Sequence, residues 1–269
     1  MTWWQSIILG LVQGLTEFLP VSSSGHLAIF KDLLGVESSS DLVFEVTVHA
    51  ATVLATILVF RKQIAGLFKG LFRFKYNDET DYVLKILVSL IPILIVGFFF
   101  KDQVESLFSS LYVVGAALLV TAALLFFSDQ MSGKASEKAP TQRNGLSYLQ
   151  AFIIGLGQAI AVTPGLSRSG TTISTGLLVG VKRDVVAQFS FLMVIIPILG
   201  EAFLDVVGGE FTTASVSIVP LLLGFCAAFL SGLFACKLMI ALVKKAKLKW
   251  FALYCLIVGL AVIIAKALI

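Results

Sequence analysis

The sequence predicts an all-α integral membrane protein with six transmembrane helices and two re-entrant helical hairpins in an inverted-topology repeat. Composition, the placement of basic residues and an internal repeat lead to this fold class. The chain of 269 residues is 58% hydrophobic and only 13% charged, with a mean hydropathy of +0.99. Soluble domains are nearer to roughly 45–50% apolar and about 25% charged. The apolar runs are also too long and unbroken for the alternating strands of a β-barrel.

The chain begins with two short apolar runs, Trp3 to Leu19 and Leu27 to Leu34, separated by a polar turn. Neither run reaches the roughly 20 residues that a helix needs to cross about 30 Å of hydrocarbon. Polar Gln13 and Glu17 interrupt the first run. Two short helices that enter the membrane and return fit this pattern better than one continuous span.

A second pair of short apolar runs, Tyr148 to Val162 and Ile173 to Val181, flanks the polar stretch 164–172 and predicts a second re-entrant hairpin. Asp129 to Ser147, rich in polar residues, predicts a linker ahead of it. Longer apolar runs predict transmembrane helices near Leu42 to Phe60, Val83 to Phe100, Leu111 to Ser128, Val185 to Val207, Ser215 to Val243 and Trp250 to Leu268.

Basic residues predict the orientation of the spans, because cytoplasmic loops carry an excess of lysine and arginine. Five, three, two and four of them lie in the loops 61–82, 129–147, 182–184 and 243–249. One, one and none lie in the alternate loops 31–41, 101–110 and 208–214. Both termini and the mouth of the first hairpin are therefore expected outside, and the second hairpin is expected to enter from the cytoplasm. The net charge of +4 follows this topology and does not indicate nucleic-acid binding.

An internal repeat agrees with this inversion. A shift of 145 positions aligns Gly10 with Gly155, Gln13 with Gln158, Ser22 with Ser167, Ser24 with Ser169, Gly25 with Gly170, and Phe44 with Phe189. The single membrane domain, residues 1–269, is predicted to divide into inverted repeats 1–128 and 147–269. Such repeats place a binding site near the bilayer midplane, where the N-termini of broken helices converge on an anion.

The first hairpin carries a candidate acid, base and nucleophiles. Gln13 and Glu17 lie four residues apart on one helix face, where their oxygen atoms suit a divalent cation such as Mg²⁺ or Ca²⁺. Alternatively, Glu17 activates a neighbouring hydroxyl or imidazole, or the pair only satisfies backbone groups. His26, one of two histidines, follows a serine cluster that is either functional or a helix cap: Ser22, Ser23 and Ser24.

The second hairpin carries the candidate anion site. Arg168 lies among small polar residues at the start of a short helix. A charge buried in a membrane is costly and normally marks a functional site. The planar guanidinium binds an oxyanion in a bidentate manner, and the helix N-terminus directs N–H groups at the same anion. The expected substrate-binding residues are Ser167, Ser169, Gly170, Thr171 and Thr172, with Ser22 and Ser24 of the first hairpin. The alternative is a polar surface loop with a solvated arginine.

Together, the two hairpins would place a carboxylate and an imidazole against a phosphate, an arrangement that suits phosphoryl transfer. Glu45 and His49 lie four residues apart in the next span. Glu45 is a further candidate for the site, and the alternative is a hydrogen-bonded pair between helices.

Two stretches, QGLTEFLPVSSSGH at 13–26 and PGLSRSGTT at 164–172, closely resemble the signature motifs of the undecaprenyl pyrophosphate phosphatases, also called bacitracin-resistance proteins. The resemblance extends over the whole chain in length, number of spans and order of motifs. The family pattern allows Glu or Gln at the position of Gln13, and Gln there leaves Glu17 as the only acid of the 13–26 motif.

The resemblance implies hydrolysis of undecaprenyl pyrophosphate to the monophosphate lipid carrier that envelope-polymer synthesis reuses. It also implies a bacterial plasma-membrane location, a site open to the outer face, and Mg²⁺ or Ca²⁺ held by Glu17 and Gln13. Arg168 would bind the pyrophosphate, and Ser23 or His26 would be the nucleophile or general base. The expected partners are the lipid substrate, membrane lipid and a second copy of the chain, with no nucleic acid.

A transporter or flippase of an anionic lipid is the alternative, because inverted repeats with hairpins at the midplane are transporter architecture. A carrier needs an anion site but no acid or base beside it. Glu17 and His26 opposite Arg168 therefore favour the enzyme.

Overall fold

The computed structural model describes residues 1–36, 41–108, 110–135, 142–200, 217–245 and 247–268. The regular elements within these ranges are all helical, which confirms the all-α class. They are α1 (Trp3–Phe18), α2 (Ser23–Leu34), α3 (Asp41–Val59), α4 (Arg61–Leu71), α5 (Asp78–Phe99), α6 (Lys101–Leu107), α7 (Leu111–Ala135), a 3₁₀ turn (Arg143–Gly145), α8 (Tyr148–Ile160), α9 (Arg168–Leu178), α10 (Arg183–Met193), α11 (Ile218–Lys245) and α12 (Lys249–Leu268).

Five described segments are long and apolar enough to cross a membrane: Asp78–Phe99, Leu111–Met131, Arg183–Gly200, Ile218–Leu242 and Lys249–Leu268. A sixth results if α3 and α4, which bend by 76° at their junction, count as one broken span. This range of five to six agrees with the predicted multi-pass membrane protein. The predicted span ends between residues 201 and 216 lie outside the described residues.

The stretch from Arg61 to Tyr82 differs from the sequence expectation of a loop, since it begins with the helix α4. Ile64, Leu67 and Leu71 recur at the spacing of one helix face, and the basic residues Arg61, Lys62 and Lys69 occupy other positions. This amphipathic period favours a helix. The turn after α3 changes the direction of the chain rather than ending helical structure.

The two predicted hairpins are α1 with α2 and α8 with α9. Each first helix begins with a capping box. The side-chain amide of Gln5 donates to the carbonyl of Leu34 at 3.0 Å, and that of Gln150 donates to Val179 at 2.9 Å. Both bonds fasten the end of a hairpin's second helix to the start of its first. They are related by the shift of 145 seen in the sequence, while the inverted orientation of the halves stays a prediction.

The second helix of each hairpin begins earlier than its apolar residues suggest. α2 begins at Ser23 and α9 at Arg168, several residues ahead of the apolar runs at Leu27 and Ile173. Serine caps explain the difference, since the hydroxyl groups of Ser22 and Ser167 accept backbone N–H groups. The polar motifs therefore lie in the first turns of helices.

Glycines let each hairpin pack closely against a long helix that is distant from it in the sequence. A Cβ atom on Gly10 of α1 would lie 2.4 Å from the carbonyl oxygen of Gly224 in α11. A Cβ on Gly155 of α8 would lie 2.2 Å from the carbonyl oxygen of Ser89 in α5. Backbone contacts of this kind are typical of helix packing in membranes, where small residues form the interface.

A buried polar cluster holds the start of the second hairpin on α5. The ammonium group of Lys85 lies 2.6 Å from a carboxylate oxygen of Asp81, and both residues are buried. The hydroxyl groups of Tyr76 and Tyr148 donate to the other oxygen at 2.8 and 3.0 Å, and the amide of Asn144 donates to the first at 2.9 Å. Because Tyr148 begins α8, this cluster fixes where the second hairpin enters the fold.

Candidate active site

The tips of the two hairpins meet. Arg168, the first residue of α9, donates from Nη2 to Oε1 of Glu17 at 2.8 Å. The hydroxyl of Ser169 donates to the backbone carbonyl of Leu19 at 3.1 Å. The structure therefore brings together the acid and the guanidinium that the sequence placed in separate motifs, and it does not leave Arg168 on an isolated surface loop.

Close backbone contact at the tips depends on glycine. Gly165 adopts a φ of +88°, in the region that other residues rarely adopt. Its Cα would lie 3.0 Å from a Cβ on Gly25, and a Cβ on Gly165 itself would lie 2.4 Å from the carbonyl oxygen of Val114. A larger side chain at Gly25 would therefore push the two tips apart, and one at Gly165 would collide with the backbone of α7.

The Glu17 carboxylate is the centre of the polar contacts, although its side chain is only 8% exposed. Oε2 accepts the hydroxyl of Ser23 at 2.5 Å and the amide of Gln13 at 2.9 Å, while Oε1 accepts Arg168. A carboxylate that accepts a short hydrogen bond from a hydroxyl is placed to take up its proton. Three of the residues predicted for the site therefore lie within one hydrogen bond of Glu17.

The backbone conformation of Ser22 directs the side chain of Ser23 toward Glu17. Ser22 has a φ of +71°, which is uncommon outside glycine, and its hydroxyl accepts the N–H of Gly25 at 3.2 Å. Backbone strain of this kind concentrates at functional sites. Ser24 has its hydroxyl 3.4 Å from that of Ser22. These two predicted binding residues shape the turn, and Ser23 is the serine that faces the carboxylate.

His26 does not contact Glu17, which differs from the expected pairing of this imidazole with the acid. Its Nδ1 lies 2.7 Å from the carbonyl oxygen of Ser22, and its Nε2 lies 2.7 Å from the hydroxyl of Tyr254 in α12. The ring stacks on that of Tyr254 with 5.6 Å between centroids. The residue is 4% exposed. Both ring nitrogens therefore have hydrogen-bond partners, and His26 stabilises the strained turn at Ser22.

The imidazole beside Glu17 belongs to His49 of α3. Its Nε2 lies 4.0 Å from Oε2 of Glu17, and its Nδ1 lies 2.9 Å from the backbone carbonyl of Glu45. The carboxylate of Glu45 forms an ion pair with Lys31. Glu45 thus touches the site through its backbone and not through its acid.

Most polar residues at the start of α9 form hydrogen bonds within the hairpin or with the helices beside it. Ser167 caps the helix, and its N–H donates to the hydroxyl of Thr121 at 3.0 Å. Gly170 donates its N–H to Ser167. Thr172 donates to the carbonyl of Arg168 at 2.9 Å and also contacts the hydroxyl of Ser190. In the described structure, the buried hydroxyl of Thr171 has no hydrogen-bond partner.

A small cavity lies beside the charged pair and opens to its surroundings, within about 380 Å³ of empty space that includes open solvent. Its polar wall is formed by Glu17, Arg168, Ser169, Thr172, Thr52, Thr56 and Ser190, and its apolar wall by Phe18, Val53, Phe191, Val194 and Ile198. A charged end next to an apolar wall suits an amphipathic molecule with an anionic head and a hydrocarbon tail.

Thr52, Thr56, Ser190 and Tyr254 were not predicted for the site, whereas Glu45 was a candidate and His49 was noted beside it. Glu45, His49, Thr52 and Thr56 recur at intervals of four, three and four residues in an otherwise apolar helix. This polar stripe was visible in the sequence as one helix face. Tyr254 in α12 and Ser190 in α10 gave no such signal, because neither lies in a polar pattern of its own.

The side-chain oxygen atoms of Gln13 and Glu17 suit a hard cation such as Mg²⁺ only if water or substrate supplies further oxygen ligands. Gln13 is fully buried and its Oε1 has no partner among the described residues, next to the single carboxylate of Glu17. The described residues contain no group of three or more His, Cys, Asp or Glu that would hold a metal alone. Mg²⁺ often takes only one or two protein ligands and completes its shell with water and substrate phosphate. Gln13 and Glu17 fit this mode.

The sequence is similar to a known protein family over most of its length. Residues 6–261 match the family model described as bacitracin resistance protein BacA. The chain is 54% identical over its whole length to an undecaprenyl-diphosphatase of Bacteroides fragilis, of which it covers 100%. It is 56% identical to an undecaprenyl-diphosphatase of Parabacteroides distasonis, with 98% of each chain covered. It is 37% identical to one of Carboxydothermus hydrogenoformans, with 99% of this chain and 98% of that one covered.

Proposed function

Because the chain belongs to the bacitracin resistance protein BacA family, we infer that it is an undecaprenyl-diphosphatase, a hydrolase of the membrane. It converts undecaprenyl pyrophosphate to undecaprenyl phosphate and phosphate. The observation that carries this conclusion is full-length similarity to named diphosphatases, together with an acid, a hydroxyl and a guanidinium in mutual contact. The transporter alternative finds no support among these relatives.

Arg168 is the proposed phosphate-binding group. In the described structure its Nη2 is bound to Glu17, and its side chain is 24% exposed to the cavity. A guanidinium matches the geometry of phosphate oxygens and neutralises the charge that develops on them. The N-terminus of α9, where Arg168 lies, favours the same anion.

Ser23 is the proposed nucleophile and Glu17 its general base. The hydroxyl attacks the terminal phosphorus, its proton passes to Oε2 of Glu17, and undecaprenyl phosphate leaves with the electrons of the broken P–O bond. Glu17 releases that proton to solvent, water attacks the phosphorus of the phosphoserine while its proton passes to Glu17, and the bond from phosphorus to Ser23 Oγ breaks. Oγ takes the proton back from Glu17, and phosphate is released. The 2.5 Å bond from Ser23 to Glu17 favours this assignment over His26, whose nitrogens bind Ser22 and Tyr254.

Gln13 and Glu17 are the proposed protein ligands for Mg²⁺ or Ca²⁺. The support is the unpartnered Oε1 of Gln13 next to one carboxylate. When bound, a divalent cation would neutralise charge on the phosphate oxygens. The chain's own residues still align the phosphate and move the proton.

The apolar wall of the cavity is the proposed contact for the lipid portion next to the pyrophosphate. Phe191, Val194 and Ile198 lie along α10 and its continuation, within reach of the same cavity as Arg168. Burying isoprene units there removes apolar surface from the polar head region. This arrangement would hold the head group while most of the tail stays in lipid.

The finer cellular setting is also a proposal. Membership of the family supports a bacterial plasma-membrane location with the site open to the outer face, and the excess of basic residues in alternate loops supports an orientation with both termini outside. In that setting the reaction returns a lipid carrier to envelope-polymer synthesis. Pairing of two copies of the chain stays a prediction from the sequence, as does the absence of a nucleic-acid partner.

Phosphate release from a polyprenyl pyrophosphate by the purified protein tests the function. Wild type should release phosphate, chelator should suppress release, and added Mg²⁺ or Ca²⁺ should restore it. Glu17→Gln should abolish turnover, with Thr16→Val as a control on the same helix, since Thr16 only donates to Val12. No release by wild type, or normal turnover by Glu17→Gln, contradicts the enzymatic mechanism.

A further inference from the structure

Two polar side chains of α12 contact the turn between α1 and α2. Over residues 251–265 this helix has no polar side chains other than those of Tyr254 and Cys255. The hydroxyl oxygen of Tyr254 lies 2.7 Å from Nε2 of His26, and Sγ of Cys255 lies 3.6 Å from the carbonyl oxygen of Pro20. An otherwise apolar span therefore directs its two polar groups at the two ends of one turn.

The hydrogen bonds of His26 determine which ring nitrogen carries the hydrogen. The residue is buried, which favours the neutral ring. Nδ1 lies 2.7 Å from the backbone carbonyl oxygen of Ser22, which only accepts hydrogen bonds. Nδ1 therefore carries the hydrogen, and Nε2 is an acceptor. The hydroxyl of Tyr254 donates to Nε2, so Tyr254 favours this tautomer of His26.

The tautomer matters because Ser22 holds an uncommon backbone conformation. Its φ of +71° lies in a region that residues other than glycine rarely adopt. Such a conformation persists only where neighbouring contacts impose it. The carbonyl oxygen of Ser22 accepts Nδ1–H of His26 at 2.7 Å and the backbone N–H of the same residue at 3.2 Å. The ring of His26 therefore holds the peptide that joins Ser22 to Ser23.

The orientation of that peptide determines where the Ser23 hydroxyl lies. Ser23 is the first residue of α2, and its hydroxyl donates to Oε2 of Glu17 at 2.5 Å. For the proposed attack, this hydroxyl has to face the carboxylate and the phosphorus at once, and small displacements of a reacting group are costly. A continuous path of contacts thus leads from Tyr254 through His26 and Ser22 to the proposed nucleophile.

Tyr254 also covers the outer side of this path. It lies in the span Lys249–Leu268 and is 43% exposed, whereas His26 is 4% exposed. The planes of the two rings differ by 9°. Hydrocarbon around a span offers no hydrogen-bond donor that could take the place of the hydroxyl. Removal of the Tyr254 hydroxyl would therefore leave Nε2 without a donor.

We propose that Tyr254 is a positioning residue for the hydrolysis, acting through His26 on the alignment of Ser23. This inference rests on the proposed function. The Tyr254 hydroxyl is bonded to His26 and not to the charged pair, so it takes no part in the proton transfer. It changes how often the nucleophile is aligned for attack. Loss of the hydroxyl should therefore slow the chemical step more than it weakens substrate binding.

Single-turnover phosphate release tests this role, because its rate constant does not depend on the folded fraction of the sample. Full-length protein in detergent, with Mg²⁺ present, is mixed in excess with a polyprenyl pyrophosphate and quenched over time. Tyr254→Phe keeps the ring and removes the hydroxyl. It should lower the rate constant by about three- to tenfold, as expected for the loss of one neutral hydrogen bond. The protein concentration that gives half of the maximal rate should change less than about twofold.

Tyr112→Phe is the matched control. The hydroxyl of Tyr112 in α7 donates to the backbone carbonyl of Lys266 at 2.8 Å, so it also fastens α12. This contact lies about 18 Å further along the helix axis than Tyr254. The rate constant of the control should stay within about twofold of wild type. Equal slowing of both variants would show that general loosening of α12 is responsible, and it would overturn the role of Tyr254.

The tautomer of His26 provides a second test that does not depend on turnover. Untagged protein with ¹⁵N-labelled histidine should show, for His26, the chemical shifts of a neutral ring with its hydrogen on Nδ1. His49→Gln assigns the signals, since the sequence contains two histidines. Tyr254→Phe should lower the population of this tautomer. A wild-type His26 with its hydrogen on Nε2 would overturn the inference.

The outcomes separate the role of Tyr254 from the function on which it rests. An active wild type and an unchanged rate constant in Tyr254→Phe overturn the role and leave the diphosphatase function in place. A smaller amplitude of release without a lower rate constant does the same, because it reports only fewer folded molecules. A wild type that releases no phosphate overturns the function, and the role of Tyr254 falls with it.

Discussion

Arg168 and Glu17 are separated by 151 positions in the sequence, yet Nη2 of the first lies 2.8 Å from Oε1 of the second. Each residue lies at the tip of a short helical hairpin, and each hairpin packs through glycine on a long helix from the other part of the chain. The contact therefore depends on packing throughout the molecule. It joins the proposed phosphate-binding group to the proposed general base.

Arg168→Lys should lower kcat/KM by about 10²-fold, and Arg168→Ala should lower it further. Lysine keeps the positive charge but loses the planar pair of N–H donors that matches phosphate oxygens. Steady-state phosphate release measures the effect. Lys62→Met on α4, an exposed position away from the cavity, controls for loss of a positive charge. An Arg168→Lys variant within about twofold of wild type would show that charge alone suffices.

Ser23 should carry the phosphoryl group during turnover. Acid quenching of the reaction with substrate labelled in its terminal phosphate should leave an acid-stable label in the peptide that contains Ser23. Ser23→Ala should lose the label and about 10²-fold or more of kcat, because the hydroxyl next to Glu17 is absent. A label that survives only a parallel alkaline quench would instead indicate a phosphohistidine, and a lack of label after both quenches would indicate direct attack by water.

Gly14→Ala should destabilise the protein by about 1–3 kcal/mol through overpacking. A Cβ at Gly14 would lie 2.0 Å from the hydroxyl oxygen of Ser231 and 2.4 Å from the carbonyl oxygen of Ala228. Thermal unfolding in detergent measures the loss. Gly66→Ala in α4 is the matched control, since nothing lies within 4 Å of its added Cβ. This control should be neutral or more stable by roughly 0.5–1 kcal/mol. Equal unfolding midpoints for the two variants would argue against close α1–α11 packing.

Lys85→Met should destabilise the fold by about 3–5 kcal/mol, because it leaves the Asp81 carboxylate buried without its cation. The start of the second hairpin is held by the same cluster through Tyr148, so activity should fall with stability. Unfolding midpoints and phosphate release are measured on the same samples. The exposed Lys62→Met again serves as the control, and matching midpoints would show that the buried pair contributes little.

Much of the architecture could be predicted from the sequence, because membrane burial acts on local patterns. Hydrocarbon thickness separates long spans from the short runs of the hairpins, and the runs beginning at Trp3 and Tyr148 do form short helices followed by a second helix. The serine caps explain where α2 and α9 begin. The helix α4 was missed because its basic residues suggested a loop, although Ile64, Leu67 and Leu71 recur on one face.

The sequence by itself determined the class of the protein, the two motifs and the chemical types of the candidate residues, since composition and short-range spacing carry that information. Only the tertiary structure decided which of those side chains meet. His26 is directed to Tyr254 and His49 to Glu17, although their sequence contexts favour the opposite assignment. Contacts between helices distant in the sequence depend on how backbones pack and rotate against each other, and no local pattern encodes that geometry.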